Sequence, residues 1–275
     1  MRKPLARALA ATAAVLLAAT ACSSGGSTKE ASADSVLTVG VSPVPHAVIL
    51  NYIKDNLANA AGLKLKVVEF NDYVQPNEAL KDKKLDANYF QTIPYLDAQS
   101  KERGYKFTPL APVHIEPLGI YSKKLKSLAD VPDGAVVTLS NDPANLNRGL
   151  LLLQANGLIT LKDTGGALAT ELDVADNPHK LKLTPIDPPQ LVRSLDDTDL
   201  AVINGNYALD AKLVPSKDAL ALESGENNPY ANLVVVRAGD EKDPRIVKLE
   251  ELLHSPEVKA FVEKTYPDGS VLPAF

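Results

Sequence analysis

Short β-branched runs alternate with segments of helical period along most of this chain, the pattern of an α/β fold. Residues 36–42 (VLTVGVS) predict a strand, and the following helix puts Leu50, Ile53, Leu57 and Ala60 on one face. A strand at 63–70 (LKLKVVEF), a short helix opened by Pro76, a strand at 86–90 (DANYF) and a helix over 93–103 complete a first group of elements. After the stretch VHIEPLGIYS a second group begins. It has strands at 135–140 (AVVTLS) and 181–186 (LKLTPI), a proline-opened helix in PPQLVRSL, and a strand in LAVINGN that ends in a glycine-containing turn. ANLVVVR then returns as an extended run, and helices are predicted over 244–253 and 256–265.

The chain is thus expected to leave one lobe near residue 118 and to return near 232, giving lobe 1 as 36–117 plus 233–275 and lobe 2 as 118–232. Two crossovers between two α/β lobes make a cleft and a hinge, with ligands expected at the carboxyl ends of the strands.

The first residues change the picture by adding an address. Arg2, Lys3 and Arg7 precede an uncharged apolar run from Ala8 to Ala19, followed by small residues, which reads as a secretory signal over 1–21. Twelve residues are too few for a membrane span, which needs roughly 20. Ala19-Thr20-Ala21-Cys22 resembles a bacterial lipobox, so Cys22, the one cysteine, is expected to carry lipid; ordinary cleavage leaving a free thiol is the alternative. Residues 22–35 then read as a flexible tether, whose 13 residues after the cysteine reach ~20 Å. The expected location is the outer face of a cell membrane, with the lipid bilayer as a partner.

Loss of 1–21 removes three positive and no negative charges, taking the formal charge from −5 to −8. An acidic chain with no basic patch argues against nucleic acid. No glycine-rich phosphate loop, GxSxG elbow or HExxH is present, so no catalytic residue, cofactor or metal is expected. His46, His114, His179 and His254 show no ligand spacing and read as surface or structural residues.

Two features suggest a binding site. Tyr73, Tyr89, Phe90 and Tyr95 are four of 14 aromatics within 23 positions, either a cleft wall or lobe 1 core. In NDPANLNRGLLLLQ, Asp142 reads as an N-cap, Pro143 as the first helical residue, and Leu150 to Leu153 as a run entering a core. Asn145 and Arg148 share a face of that helix, Asn204 closes a strand, and Asn232 sits where the chain crosses back. Arg148 stands near the positive end of the helix dipole, unfavourable by about 0.3–1 kcal/mol unless an anion is close. It is either a solvated surface arginine or a fork for an amino-acid carboxylate gripped by two parallel hydrogen bonds. The binding reading hangs on this fork: a guanidinium out in bulk water, or locked onto one of the chain's own acids, would overturn it.

The blocks FNDYVQPNEALKDKKLDANYFQTIPYLD, GIYSKKLKSL, NDPANLNRGLLLLQ, RSLDDTDLAVIN and YANLVVVR closely resemble, in order, the methionine-binding lipoprotein (MetQ/NlpA) family. The resemblance implies a two-lobed periplasmic-binding-protein-like fold of type II. It also implies a non-enzymatic solute-binding lipoprotein serving an ABC permease and its cytoplasmic ATPase, with methionine, L-methionine first, as ligand. Matching blocks imply an aromatic wall of Tyr73, Phe90 and Tyr95, and polar contacts from Asn145, Arg148, Asn204, Tyr207 and Asn232. A thioether gains from aromatic neighbours, and a zwitterionic head needs a guanidinium and amides. Thr92 stands where many members carry His, and Asn147 where many carry Gly. The shorter Thr92 leaves room on its side, so a methionine-containing dipeptide or another apolar amino acid is an alternative cargo. An exported hydrolase or an anchored adhesion protein on the same scaffold are alternatives of a different class.

Overall fold

The structure, a computed structural model, describes residues 35–275. The signal segment 1–21, Cys22 and the tether up to residue 34 lie outside the described residues. Among those described, no helix is long and apolar enough to cross a membrane.

From the amino end come β1 (Leu37–Val41), α1 (Val48–Asn56), β2 (Leu65–Glu69), α2 (Gln75–Lys81), β3 (Ala87–Thr92), α3 (Ile93–Arg103) and β4 (Phe107–Ile115). Next are β5 (Gly119–Tyr121), β6 (Val136–Ser140), α4 (Pro143–Ala155), β7 (Thr160–Leu161), β8 (Val174–Asp176), β9 (Lys182–Ile186) and α5 (Leu191–Ser194). β10 (Leu200–Ile203), α6 (Gly205–Asp210), α7 (Pro215–Asp218) and β11 (Ala219–Leu222) follow. The chain ends with β12 (Ala231–Arg237), α8 (Pro244–Leu253), α9 (Pro256–Thr265) and β13 (Leu272–Pro273).

These strands form two main sheets, one per lobe. The first runs β13-β4-β12-β3-β1-β2 and the second β11-β5-β10-β6-β9, with β7 and β8 as a separate pair. The chain changes sheet between Ile115 and Gly119 and again between Leu222 and Ala231. β1 lies parallel to β2 and β3, with helices crossing between them, and its run LTVGV is buried at four of five positions because helices cover both faces. One core packs Leu37, Val39, Ile53 and Tyr89 against Ile246, Leu249 and Val258 of the C-terminal helices. The other packs Val137 and Leu139 of β6 and Val202 of β10 against Leu150 and Leu153 of α4.

Local chemistry sets the helix ends. The Asp142 side chain accepts from Asn145 N at the start of α4, Asp243 from Arg245 N at α8, and Ser255 from Val258 N at α9, each followed by proline in the first turn.

Four expectations are corrected. α1 stops at Asn56, so Ala60 is exposed and Ala58 is buried instead. Leu151 is 41 % exposed while its three neighbours in the leucine run are buried, as a 3.6-residue turn requires. The turn expected in NGN is the first turn of α6, with Asn204 at its N-cap position. The second group begins inside VHIEPLGIYS rather than after it, since Val113 to Ile115 end β4 and Gly119 to Tyr121 form β5 of the second sheet.

Candidate functional site

β3 ends at the cleft with all six residues buried, and α3 starts without a break, so Phe90, Thr92 and Tyr95 present side chains around one strand end. Tyr73 joins them from the loop between β2 and α2. Its ring centroid lies 6.0 Å from Phe90 and 5.7 Å from Tyr95, the latter edge-on. Tyr95 Oη donates to the Tyr73 carbonyl (2.9 Å), and Tyr73 Oη donates across the cleft to Asn206 Oδ1 (2.6 Å). Burial pushes both phenols up, so they stay protonated donors.

The second sheet supplies amides. Asp142, capping α4, accepts from Asn145 Nδ2 through both carboxylate oxygens (3.1 and 3.0 Å), which turns Asn145 Oδ1 towards Asn204 Nδ2 (2.9 Å). This orients Asn204 in turn and leaves its buried Oδ1 without a partner among the described residues. An unpaired buried acceptor costs about 1–3 kcal/mol, recoverable by any N–H donor in the cavity.

Arg148 is 4 % exposed, which rules out a solvated surface role. The anion at its fork, however, belongs to the protein. Nε donates to Glu223 Oε1 (3.0 Å) and Nη2 to Glu223 Oε2 (2.5 Å), while Nη2 also donates to the Glu116 carbonyl (3.0 Å). The expectation that a ligand carboxylate takes this fork is therefore corrected. β11 runs beside β5, placing Glu223 next to Leu118, whose carbonyl accepts from Glu223 N (2.8 Å). The helix dipole is answered by that carboxylate. Tyr230 covers one face of the guanidinium (4.3 Å to the ring centroid), and Nη1 has no partner among the described residues.

Asn232 belongs to β12 of the first sheet, opposite Thr92 and His114, rather than to the second lobe's polar wall. Its Oδ1 lies 3.1 Å from His46 Nε2. His46 and His114, expected at scattered structural or surface positions, meet at Glu116: His114 Nε2 is 2.8 Å and His46 Nε2 3.4 Å from Glu116 Oε1. Tyr89 Oη bonds to His114 Nδ1, which places Tyr89 in the core behind the site rather than in its wall. Burial lowers His46 to about 4, an effect Glu116 opposes and His114 reinforces, and lowers His114 to about 3. Burial raises Glu116, against the pull of His46 and Arg148. Ligand atoms of His46, His114 and Glu116 lie within 4.8 Å of one another, the spacing a metal would need, although each is already engaged in hydrogen bonds.

These walls surround a partly open cavity of about 360 Å³, a figure that includes space open to solvent. Tyr73, Phe90, Thr92 and Tyr95 line one side; Asn145, Arg148 and Asn204 line the other, with Asn232 and Glu116 at the base. Tyr207 is not part of the lining: it packs behind Tyr73 (5.1 Å between ring centroids) and donates to the Asn71 carbonyl (3.2 Å). Asn147 is also outside, with Oδ1 accepting from Ala169 N (2.9 Å). The sequence reading missed Gln91, Glu116, Gly205 and Asn206, all of which line the cavity. Gly205 is required by close approach, since a Cβ there would lie 2.7 Å from Glu116 Cβ.

Comparison with known proteins follows the same outline. The NlpA lipoprotein family profile matches residues 37–275. The methionine-binding lipoprotein MetQ of Bacillus subtilis is 44 % identical over 241 residues, covering 86 % of this chain and 87 % of that protein. The D-methionine-binding lipoprotein MetQ of Escherichia coli is 47 % identical over 212 residues, covering 76 % and 78 %. Among solved structures, a nutrient binding protein from Burkholderia cenocepacia bound to methionine superposes with a TM-score of 0.84 at 51 % identity, covering 87 % of this chain and all of that one. With a match over nearly every described residue and relatives this similar, the chain belongs to the NlpA lipoprotein family.

Proposed function

We propose that this protein is a membrane-anchored solute-binding lipoprotein that captures methionine between its lobes and delivers it to an ABC importer. The observation that carries this reading is a cavity with three aromatic rings on one wall and, opposite, the Arg148 guanidinium and the Asn204 amide oxygen, the latter without a partner among the described residues. A relative of half-identical sequence is bound to methionine, which supports the cargo. In this reading the carboxylate meets Arg148 Nη1 end-on, the ammonium donates to Asn204 Oδ1 above Glu116, and the thioether lies against Tyr73, Phe90 and Tyr95. The moving bodies are residues 36–117 with 231–275, which carry the first sheet, and residues 118–230, which carry the second. Closure is favoured because the ligand touches both, giving it differential affinity for the closed form.

Residues 1–21 direct export in this proposal and Cys22 is the acylated anchor on the outer face, with a permease and its ATPase as partners; no catalysis is proposed. The short Thr92 side chain at the wall favours a roomier site, so a Met-containing dipeptide is the second reading. Thermal denaturation and calorimetry with L-methionine, D-methionine and Gly-Met test both: methionine at 100 times its Kd stabilises by ~2.7 kcal/mol. No response to any of the three refutes the reading. Incorporation of an alkyne fatty acid, lost in Cys22→Ala, tests the anchor.

A further inference from the structure

The guanidinium in the cavity wall is already neutralised by the protein, and this determines what charge the cavity accepts. Building on the amino-acid reading above, we propose that Glu223 is the residue that sets charge selectivity. By holding the Nε/Nη2 edge of Arg148, it makes the cavity admit ligands carrying an ammonium group and reject anions of the same shape.

An arginine has five N–H donors. Three are committed here: Nε and one Nη2 hydrogen to Glu223, and the other Nη2 hydrogen to the Glu116 carbonyl. Only the Nη1 pair remains for a ligand, so a carboxylate is met end-on without the fork. Glu223 does not line the cavity and acts through Arg148. Its own position is built: Asn228 Nδ2 donates to Oε2 (2.9 Å), Leu118 N approaches the same oxygen (3.4 Å), and Tyr230 seals the guanidinium face.

The surrounding charges point the same way. Around one guanidinium stand the carboxyl groups of Glu223, of Glu116 at the base and of Asp142 behind Asn145. The cavity thus offers no uncompensated positive charge, and an anion brings one more negative charge into a poorly screened space. A zwitterion brings its own compensation, and its ammonium finds the unpaired Asn204 Oδ1.

Calorimetry on the detergent-purified protein with three ligands decides the matter: L-methionine, 4-(methylthio)butanoate, which lacks the ammonium, and L-methioninol, which lacks the carboxylate. In the wild type, the anion is expected to bind at least tenfold more weakly than methioninol. Glu223→Gln shifts that ratio at least tenfold towards the anion, and Glu223→Asp, which keeps the charge, retains the wild-type preference. A wild type that prefers the anion to methioninol, or a folded Glu223→Gln protein with an unchanged ratio, overturns the proposal while methionine binding leaves the parent reading standing. If methionine itself does not bind, both fall together. Should Glu223→Gln fail to melt cooperatively, the wild-type ratio alone decides.

Discussion

Lowering the pH from 7 to 5 should destabilise this protein through His46 and His114. Both rings are essentially fully buried, His46 at 1 % and His114 at 0 % exposure, and burial depresses their pKa values from 6.5 to about 4 and about 3. In that window the unfolded chain binds two protons that the native state refuses. Stability therefore rises with pH there and is lost as pH falls below 6.5, since the slope follows the protons bound by the unfolded state minus those bound by the native state. Glu116 has the opposite sign: burial raises its pKa, so the native state takes a proton earlier than the unfolded one. If that uptake falls inside the window, it subtracts one proton. The net is one to two protons, or about 1.4–2.7 kcal/mol per pH unit at its steepest. Against a total of about 5–15 kcal/mol for a folded domain, the loss is large. Carboxylates held low by hydrogen bonds, such as Asp199 and Glu78, act in the same direction only below about pH 5, so the window isolates the histidines. The chain has no tryptophan, so urea unfolding followed by far-UV circular dichroism is the assay, on protein refolded from ligand-free denaturant. His114→Gln should remove about one proton from the slope. Stability that is flat between pH 7 and 5, or a His114→Gln protein with the wild-type slope, refutes the reasoning.

Other outcomes follow from single contacts. Tyr73→Phe removes the 2.6 Å bond to Asn206 that spans the cleft, so methionine affinity should fall by about 2–10-fold, mainly through faster dissociation measured by stopped flow. Leu150→Ala empties a fully buried position in the second core and should cost about 2–5 kcal/mol in urea unfolding without changing ligand selectivity. Gly205→Ala forces a methyl group to within 2.7 Å of Glu116 Cβ, and thermal melting should show a loss of about 1–3 kcal/mol together with weakened binding.

What the sequence made legible was what neighbouring residues decide. Prolines at 244 and 256 behind capping Asp243 and Ser255 fix the last two helices at their predicted ends, and Asp142-Pro143 does the same for α4. The aromatic cluster was readable as a wall because Phe90 and Tyr95 flank one strand end. The errors arise where tertiary contacts overrule local pattern. Ala60 has helical spacing from Ile53 and Leu57 but follows the end of α1. Asn232 stands at the crossover, yet its ladder partners are in the first sheet. His114 and Glu116 are two residues apart, but His46, which follows β1, reaches them only after folding.

Arg148 is the sharper case, because the physical question was sound and its answer lay 75 residues away. A cation in the second turn of α4 does need an anion, and the sequence offers no local one on its face. Pairing β11 with β5 delivers Glu223, which turns the arginine from a charge awaiting a ligand into a fixed dipolar fixture with two donors left over. Ligand affinity then cannot come chiefly from neutralising that charge, since the protein has done so already. In the proposed reading it comes from completing Asn204 Oδ1, from desolvated contacts along Tyr73, Phe90 and Tyr95, and from bringing both lobes onto one molecule. An arginine prepaired in this way loses little freedom when it meets a carboxylate and strips less water from it. That favours a site that grips a zwitterion while closed and, having made no strong new ion pair, lets it go when the lobes part.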